Sequence, residues 1–299
     1  MARLAIQQLD DVTDAARPVA SLLRFPVSPG RQAAARAGRR TNFAAAVLAL
    51  SVLADSSVEH YRGSFRNRAM VAPLGAAALT LAASLSGALD DRPQRHRGRD
   101  GVYALAAAVG ALGLGFHTYN VLKRPGRLSW HNLFYGAPVG APAALVLAGL
   151  LGRVAERVRE GRRVLGMPAA RVLAGVSALG LAGTVGEAGL LHFRGAFQNP
   201  AMVLPVAAPP VAAGLLGAMA AAPSKPLGRV ARLWLKLTAG LGLAGVGFHA
   251  FGVSRAMGGW RNWRQNVVDG PPLPAPPSFT GLALAGLAAL SLLMECADD

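Results

Sequence analysis

Cysteine and charged residues are both scarce in this sequence. Among 299 residues there is one cysteine, Cys296, which excludes an internal disulfide, a thiolate metal cluster and a Cys-x-x-Cys-His haem attachment. Charged residues make up 15% of the chain and hydrophobic residues 53%, whereas soluble domains carry roughly 25% charged residues. The sequence also lacks a Walker A loop, a dinucleotide fingerprint, His-Glu-x-x-His and Gly-x-Ser-x-Gly. These absences argue against a soluble hydrolase or a nucleotide-driven pump and favour a membrane protein.

Acidic residues are few as well, and the formal net charge is +16. In a soluble protein such a balance suggests a nucleic-acid partner. Here the arginines lie in short segments between long apolar runs, which is typical of membrane topology and of contact with lipid headgroups. We therefore expect a lipid bilayer, and no nucleic acid, as a partner. The N-terminus has no apolar core followed by a small-residue cleavage site, so we expect no signal peptide.

Eight apolar segments follow one another along the chain, and most are near the ~20 residues that cross ~30 Å of hydrocarbon. They span about 42–61, 70–89, 101–122, 137–151, 168–193, 201–222, 230–253 and 278–297. Because backbone groups in lipid must be hydrogen-bonded within the segment, each is predicted to be a helix. The predicted fold class is all-α, a polytopic integral membrane protein with eight transmembrane helices in two tandem parallel four-helix repeats.

Four regions divide the chain. Residues 1–40 are predicted to be a cytoplasmic or interfacial amphipathic segment, with a partly disordered cytoplasmic tail as the alternative. Residues 41–152 form the first repeat, 153–167 a basic cytoplasmic linker and 168–299 the second repeat. Most lysines and arginines fall on the side of the N-terminus, which predicts that both termini are cytoplasmic. Usage rich in alanine, glycine and arginine suggests a high-GC bacterium, so we expect the bacterial inner membrane.

One motif occurs twice. Glu-His-Tyr-Arg-Gly-Ser-Phe-Arg-Asn-Arg-Ala-Met at 59–70 returns as Leu-His-Phe-Arg-Gly-Ala-Phe-Gln-Asn-Pro-Ala-Met at 191–202. The same offset carries Gly-Phe-His at 115–117 onto Gly-Phe-His at 247–249. A fixed long period indicates a duplicated protein. Each half therefore has two histidines at matching positions, near the outer ends of its first and third helices.

These four histidines are the predicted metal ligands. His60 and His117 each lie about 17 residues beyond the start of an outward-running helix, and at about 1.5 Å per residue they reach nearly the same depth. The first and third helices of an up-and-down bundle are diagonal partners, so the two rings are predicted to face each other and hold haem b. His192 and His249 repeat this arrangement. The alternatives are a non-haem metal site built from the same histidines and a structural assembly factor.

Three further residue types recur beside the histidines and are assigned to the cofactor site. A glycine one helical turn before the second histidine of each half predicts a groove for a flat cofactor, with close helix packing as the alternative. An arginine two residues after the first histidine would pair with a haem propionate, or with headgroups and helix ends. An asparagine follows five residues later. These residues are Gly113, Gly245, Arg62, Arg194, Asn67 and Asn199.

Two carboxylates also share the offset. Asp55 and Glu187 each lie five residues before a histidine, and Glu187 lies well inside an apolar span. An intramembrane carboxylate is costly and is a functional candidate by default. We assign both to catalysis, as groups that exchange protons with a quinone or belong to a proton path. The alternative is a structural pair with a nearby histidine or arginine.

The predicted function is a membrane electron-transfer subunit, b-type cytochrome-like and quinone-linked. It would relay electrons between a periplasmic oxidoreductase subunit and the quinone pool. In arrangement it resembles cytochrome-b-type quinone oxidoreductase anchors. A haem-free, quinone-binding membrane anchor is the second hypothesis, and in overall plan it resembles the eight-helix anchors of polysulfide-reductase-type complexes. A small-solute or ion transporter built on a duplicated four-helix unit is the third, because internal repeats and intramembrane carboxylates are typical of transporters.

Overall fold

A computed structural model describes residues 30–295, and this part of the chain is almost wholly helical. The first half contains α1 (Arg31–Arg62), α2 (Ala72–Leu89), α3 (Arg97–Leu122), the short α4 (Trp130–Tyr135) and α5 (Gly140–Arg159). An antiparallel pair of two-residue strands, β1 (Arg163–Val164) and β2 (Met167–Pro168), leads to the second half. The second half contains α6 (Ala169–Arg194), α7 (Leu204–Ala221), α8 (Lys225–Arg255), the short α9 (Trp263–Val268) and α10 (Pro277–Glu295). Short 3₁₀ turns at Arg68–Val71, Pro200–Val203 and Gly259–Asn262 precede α2, α7 and α9.

The long helices follow the predicted apolar segments, and two boundaries differ clearly. Helix α1 begins at Arg31, so the basic residues that were predicted to precede the first helix lie inside it. Helix α5 continues to Arg159, beyond the predicted end near residue 151. In both cases the additional turns carry charged residues that have partners in the fold. The predicted amphipathic segment at residues 1–40 falls mainly outside the described residues.

Seven helices between residues 30 and 295 are long and apolar enough to cross a membrane. They are α1, α2 with its 3₁₀ turn, α3, α6, α7 with its 3₁₀ turn, α8 and α10. Helix α5 is not among these seven, and its last two turns carry Arg153, Glu156, Arg157 and Arg159. Large apolar side chains on α3 and α8 face outward, such as Leu112 and Leu243, which are 66% and 64% exposed. The protein is therefore an all-helical, multi-pass membrane protein whose apolar helices contact the lipid bilayer.

The long helices pack as three adjoining rings of four. In the first half, α1 packs on α2 and α5, and α3 packs on α2 and α5. In the second half, α6 packs on α7 and α10, and α8 packs on α7 and α10. The halves meet because α1 packs on α10 and α5 packs on α6. Helices α1, α5, α6 and α10 thus form a central ring, which contains most of the buried apolar residues of the core.

Glycines allow the closest helix contacts. A Cβ atom at Gly149 of α5 would lie 2.5 Å from the carbonyl oxygen of Tyr103 and 2.7 Å from the amide nitrogen of Ala107. These are backbone atoms of α3, so α5 could not approach α3 as closely with a larger residue. Gly115 of α3, in contrast, has no neighbour within 4 Å of the position of a Cβ atom. Small residues at helix contacts are the usual packing device of membrane helices.

A cluster of buried polar residues lies at one end of the first half. The repeated histidines, His60 and His117, lie at the opposite end. Glu156 of α5 is fully buried, and its carboxylate accepts hydrogen bonds from Arg99 Nε at 3.0 Å, Arg99 Nη2 at 3.2 Å and His96 N at 2.7 Å. Asn42 Nδ2 donates to the same carboxylate at 3.2 Å, and Tyr103 OH donates to Asn42 Oδ1 at 2.6 Å. We call Asn42, Arg99, Tyr103, Glu156 and Arg159 the ionic cluster.

Two charged groups of the cluster also stabilise the ends of helices. Arg159 Nη1 donates to the carbonyl oxygens of Asp90 at 2.6 Å and Arg92 at 3.1 Å, just beyond the C-terminus of α2. Carbonyl groups at this end of a helix lack intrahelical partners, and a cation there is favourable. The Glu156 carboxylate accepts from the amide that precedes α3, where an anion is favourable. The loop between α2 and α3 is thereby held against the end of α5.

The second half has apolar residues at all the matching positions. The offset of the repeated motif aligns α1 with α6 and α3 with α8, so Tyr103 of α3 matches Leu235 of α8. Gly152 of α5 faces Tyr103, and Gly286 of α10 faces Leu235, which aligns α5 with α10. The residues that match the ionic cluster are Ala174, Ala231, Leu235, Leu290 and Leu293, and all five are buried. The two halves therefore have similar helices but different chemistry at this end.

Candidate histidine site

The repeated motif folds into the same turn in both halves. After α1, Ser64 and Phe65 adopt positive φ angles of 57° and 46°, and after α6, Ala196 and Phe197 adopt 56° and 46°. This left-handed region costs roughly 1–2 kcal/mol for each non-glycine residue. The amide of Phe65 donates to the carbonyl oxygen of His60 at 3.0 Å. Two adjacent strained residues at the same place in both halves mark the turn as a feature that the surrounding contacts maintain.

The first histidine of each half is fixed within this turn. His60 Nδ1 lies 2.6 Å from the carbonyl oxygen of Met70, and His192 Nδ1 lies 2.9 Å from that of Met202. Phe65 packs edge-on against His60, with the ring centroids 6.2 Å apart. The pair of Phe197 and His192 has the same geometry. The repeated histidine and phenylalanine positions thus have the same local contacts in both halves.

The second histidine of each half is fixed by the loop that follows the short helix. His117 Nδ1 hydrogen-bonds the carbonyl oxygen of Pro138, and His249 Nδ1 lies 2.7 Å from that of Pro272. Because a carbonyl oxygen only accepts, Nδ1 carries the proton in all four histidines, and Nε2 of a neutral ring is left as an acceptor. Metal-ligating histidines usually have this arrangement, with the second ring nitrogen donating to a carbonyl or carboxylate.

The predicted glycine grooves are occupied by a neighbouring helix. A Cβ atom at Gly113 would lie 3.3 Å from Pro142 Cβ, and one at Gly245 would lie 2.7 Å from Pro276 Cβ. The glycine face of α3 therefore receives the first turn of α5, and that of α8 receives the residue before α10. In the second half, His192 and His249 lie within electrostatic range of each other.

The repeated arginines and asparagines have different roles in the structure. Asn67 Oδ1 accepts from Ala69 N at 2.9 Å, and Asn199 Oδ1 accepts from Ala201 N at 2.9 Å, so both asparagines cap the 3₁₀ turns. Arg62 forms an ion pair with Glu59. Arg194 Nη1 donates instead to the carbonyl oxygen of Phe134 at 2.9 Å, in the other half of the protein.

The two carboxylates lie at the junction between the halves. The Glu187 carboxylate contacts Gly140 and accepts a hydrogen bond from its amide, at the N-terminus of α5. Asp55 lies within electrostatic range of both Glu59 and Glu187. On the first-half side, Ser51 Oγ donates to the carbonyl oxygen of Pro274 at 2.5 Å. Asp55 on α1 and Glu187 on α6 thus approach each other from diagonal positions of the central ring.

Each short helix rests on the repeated turn of the other half. Helix α4 packs on α6, and α9 packs on α1. A buried asparagine holds each short helix: Asn132 Nδ2 donates to two loop carbonyl oxygens at 2.9 Å, and Asn266 Nδ2 donates to two at 2.8 and 3.1 Å. The two asparagines occupy matching positions, since each lies four residues before a glycine, Gly136 or Gly270. The packing of each short helix on the other half depends on tertiary contacts that no local sequence pattern encodes.

An open depression lies where α9 meets the first-half turn. Its cavity volume is about 540 Å³, and it is lined by Tyr61, Arg62, Ser64, Phe65, Val268 and Asp269. A second depression shares Tyr61, Val268 and Asp269 with it. Arg264 lines this second part and donates from Nε to Tyr61 OH at 3.1 Å. Apart from Arg62, none of these lining residues was identified as a site residue from the sequence.

The fold and the histidine geometry define the chain as a multi-pass helical membrane protein with four fixed histidines at one end. Comparison with known proteins finds no matching protein family, no matching curated protein and no matching solved structure. Within residues 30–295, no group of three or more histidine, cysteine or acidic residues is arranged to hold a metal ion.

Proposed function

We propose that the protein is a membrane electron-transfer subunit that binds haem b through the repeated histidines and exchanges electrons with the quinone pool. The observation that carries the proposal is the common geometry of His60, His117, His192 and His249. All four Nδ1 atoms are hydrogen-bonded to backbone carbonyl oxygens, which leaves four Nε2 atoms as acceptors. This geometry fixes the ring orientation and increases the basicity of a ligating nitrogen.

Haem bound in this way would supply one-electron chemistry, and the protein would supply its position and electrostatics. If haem is bound, His60, His117, His192 and His249 would hold it, whereas the glycine faces would offer it no groove, because Pro142 and Pro276 lie against them. The cofactor would then lie close to the outer surface. Such a position suits exchange with a periplasmic oxidoreductase subunit.

The membrane arrangement that goes with this function has eight transmembrane helices in two tandem parallel four-helix repeats. Helix α5 would be the eighth span, and its charges would be tolerated because the ionic cluster compensates them. Both termini would lie in the cytoplasm of a bacterium, since most lysines and arginines are on that side and positive charge marks the cytoplasm. The histidines would then face the periplasm.

The test is a reduced-minus-oxidised absorbance spectrum of the full chain, purified in detergent after expression with haem available. We expect the bands of a six-coordinate b cytochrome, partly lost in His117→Ala and partly lost in His249→Ala. His131→Ala is the matched control, because this exposed histidine lies in the short helix α4 and has no counterpart in the second half. A colourless, folded wild-type protein would refute haem binding and leave the quinone-binding anchor and the transporter.

A transporter for a small solute or ion is the second candidate, and one observation favours it. Asp55 and Glu187 approach each other at the junction of the halves, where a relative movement of two bundles would change their surroundings. In this function the two carboxylates would share or exchange a proton or a cation as the halves move. The test is uptake into proteoliposomes under an imposed proton gradient, compared with Asp55→Asn and Glu187→Gln. Uptake that does not depend on the proton gradient and is equal in the wild type and both variants would argue against the transporter hypothesis.

A further inference from the structure

The outer ends of the two halves differ in how the space beside the repeated turn is filled. In the contact between α4 and the second-half turn, Phe134 stacks on Phe193, with ring centroids 5.9 Å apart and an interplanar angle of 28°. Trp130 also stacks on Phe134, again with the ring centroids 5.9 Å apart. Three aromatic rings therefore pack together at this contact, whereas the open depression lies at the other one.

The matching contact in the first half has the same backbone arrangement but lacks the central ring. Because Asn132 matches Asn266, the position of Phe134 is taken by Val268, and the repeated motif places Tyr61 at the position of Phe193. Val268 and Tyr61 both line the open depression. The depression thus occupies the region where the other contact holds a stacked phenyl ring.

The edge of the depression has both hydrogen-bond donors and a hydrogen-bond acceptor. Arg62 and Arg264 supply guanidinium donors, and Asp269, which replaces Tyr135 of the other contact, supplies an acceptor. The Arg264 guanidinium also lies 5.8 Å from the centroid of the Tyr61 ring, so it flanks one face or edge of that ring. The depression is open to solvent and has a volume of about 540 Å³.

We infer that this depression binds the headgroup of a quinone or quinol. A flat ring would stack beside Tyr61, as Phe134 stacks on Phe193 in the other contact. Its carbonyl oxygens would accept from Arg62 or Arg264, and a quinol hydroxyl would donate to Asp269. In the proposed membrane arrangement this end of the helices lies at the membrane–water interface, and Trp260, in the 3₁₀ turn that precedes α9, is exposed. An apolar quinone tail would extend from the site into the bilayer.

The inference rests on the proposed function for its choice of ligand, and it assigns the quinone to one of two otherwise matching contacts.

The test uses the full chain in lipid nanodiscs and measures binding of decylubiquinone by quenching of tryptophan fluorescence. The variant Val268→Phe places in the depression the ring that closes the other contact. We expect its dissociation constant to be at least about ten-fold weaker, because the ring occupies the stacking position.

Phe134→Val is the matched control, since it makes the reciprocal change in the other contact. Nonspecific partition of decylubiquinone into the lipid should be the same for both variants. It should bind at least as well as wild type. Asp269→Tyr provides a second filling variant if Val268→Phe does not fold. Absence of saturable binding by the wild-type protein, or equal affinity in wild type and the filled variants, overturns the inference.

The haem spectrum of the same samples separates this inference from the proposed function. Val268→Phe should retain the bands of the wild-type protein, because none of the four histidines lines the depression. Haem bands without saturable quinone binding would refute the quinone site alone. Saturable binding by a colourless protein, lost in Val268→Phe, would refute the haem proposal alone.

Discussion

Removal of the charge at Glu156 should destabilise the protein more than any single change of a surface charge. Glu156 is fully buried and Arg99 is 5% exposed. The carboxylate accepts two hydrogen bonds from Arg99, one from a backbone amide and one from Asn42. In Glu156→Leu the buried Arg99 guanidinium would keep the Asp90 carboxylate at 2.9 Å, and the buried Arg159 guanidinium would keep backbone carbonyl partners, among them that of Asp90. Breaking a buried ion pair by removing one partner typically costs about 3–5 kcal/mol.

The second half supplies the matched variant. At the positions of Arg99 and Glu156 it has Ala231 and Leu290, both fully buried, so Arg99→Ala with Glu156→Leu installs a pair that this fold already contains. Replacing a buried ion pair by apolar residues is often neutral or stabilising. We therefore expect the double variant to lose less stability than the sum of the two single variants, with an interaction energy within the usual range of about 0.5–3 kcal/mol.

The measurement is reversible unfolding in mixed detergent micelles, followed by circular dichroism, for the wild type, both single variants and the double variant. Leu290→Ala in the second half reports the cost of a simple cavity at the matching position. If Glu156→Leu loses less than about 1 kcal/mol, or if the losses are additive, the ionic cluster is not the coupled, buried unit that its hydrogen bonds indicate.

Three further predictions concern packing, backbone strain and pH. Gly149→Ala should lose about 1–3 kcal/mol of unfolding free energy through overpacking, whereas Gly115→Ala should lose none. Ala196→Gly should raise the thermal unfolding midpoint in detergent, because it relieves about 1 kcal/mol of left-handed strain; a lower midpoint would contradict this. Hydrogen bonds from Arg92 and Arg99 hold the pKa of Asp90 well below its usual range, so its stabilisation, absent in Asp90→Asn, should be full above about pH 4 and fall as the pH drops further.

Much of the helical architecture follows from the apolar segments, and the exceptions have a common physical cause. Arg39 was predicted to precede the first helix, yet it lies inside α1, where its Nε donates to the carbonyl oxygen of Ala88 at 2.9 Å. Arg159 likewise extends α5, because its guanidinium binds carbonyl groups at the end of α2. A hydropathy pattern counts such residues as loop, since it has no information on their partners.

The candidate site was predictable in its residue types and only partly in its contacts. The repeat identified the four histidines and their common end of the bundle, and the asparagine caps are local in sequence. The partners of the second histidines, Pro138 and Pro272, lie 21 and 23 residues away in the chain. Those contacts depend on how the short helices pack. The sequence therefore predicted how far along its helix each of these histidines lies, but not the direction in which its ring points. Opposed histidine rings around a haem remain a prediction.

The differences between the halves are more informative about function than their similarities. The turn, the fixed histidines and the asparagine-held short helices occur in both halves, so they explain how the fold is maintained. The ionic cluster and the open depression both involve the first-half bundle, and at both places the matching contact is closed by apolar or aromatic side chains. Burying charged groups carries a desolvation penalty, and the second half shows that the same backbone accommodates apolar residues at the matching positions. The ionic cluster and the open depression are both absent from the matching places, which points to the first half as the specialised one. A function divided equally between two equivalent sites would not require this asymmetry.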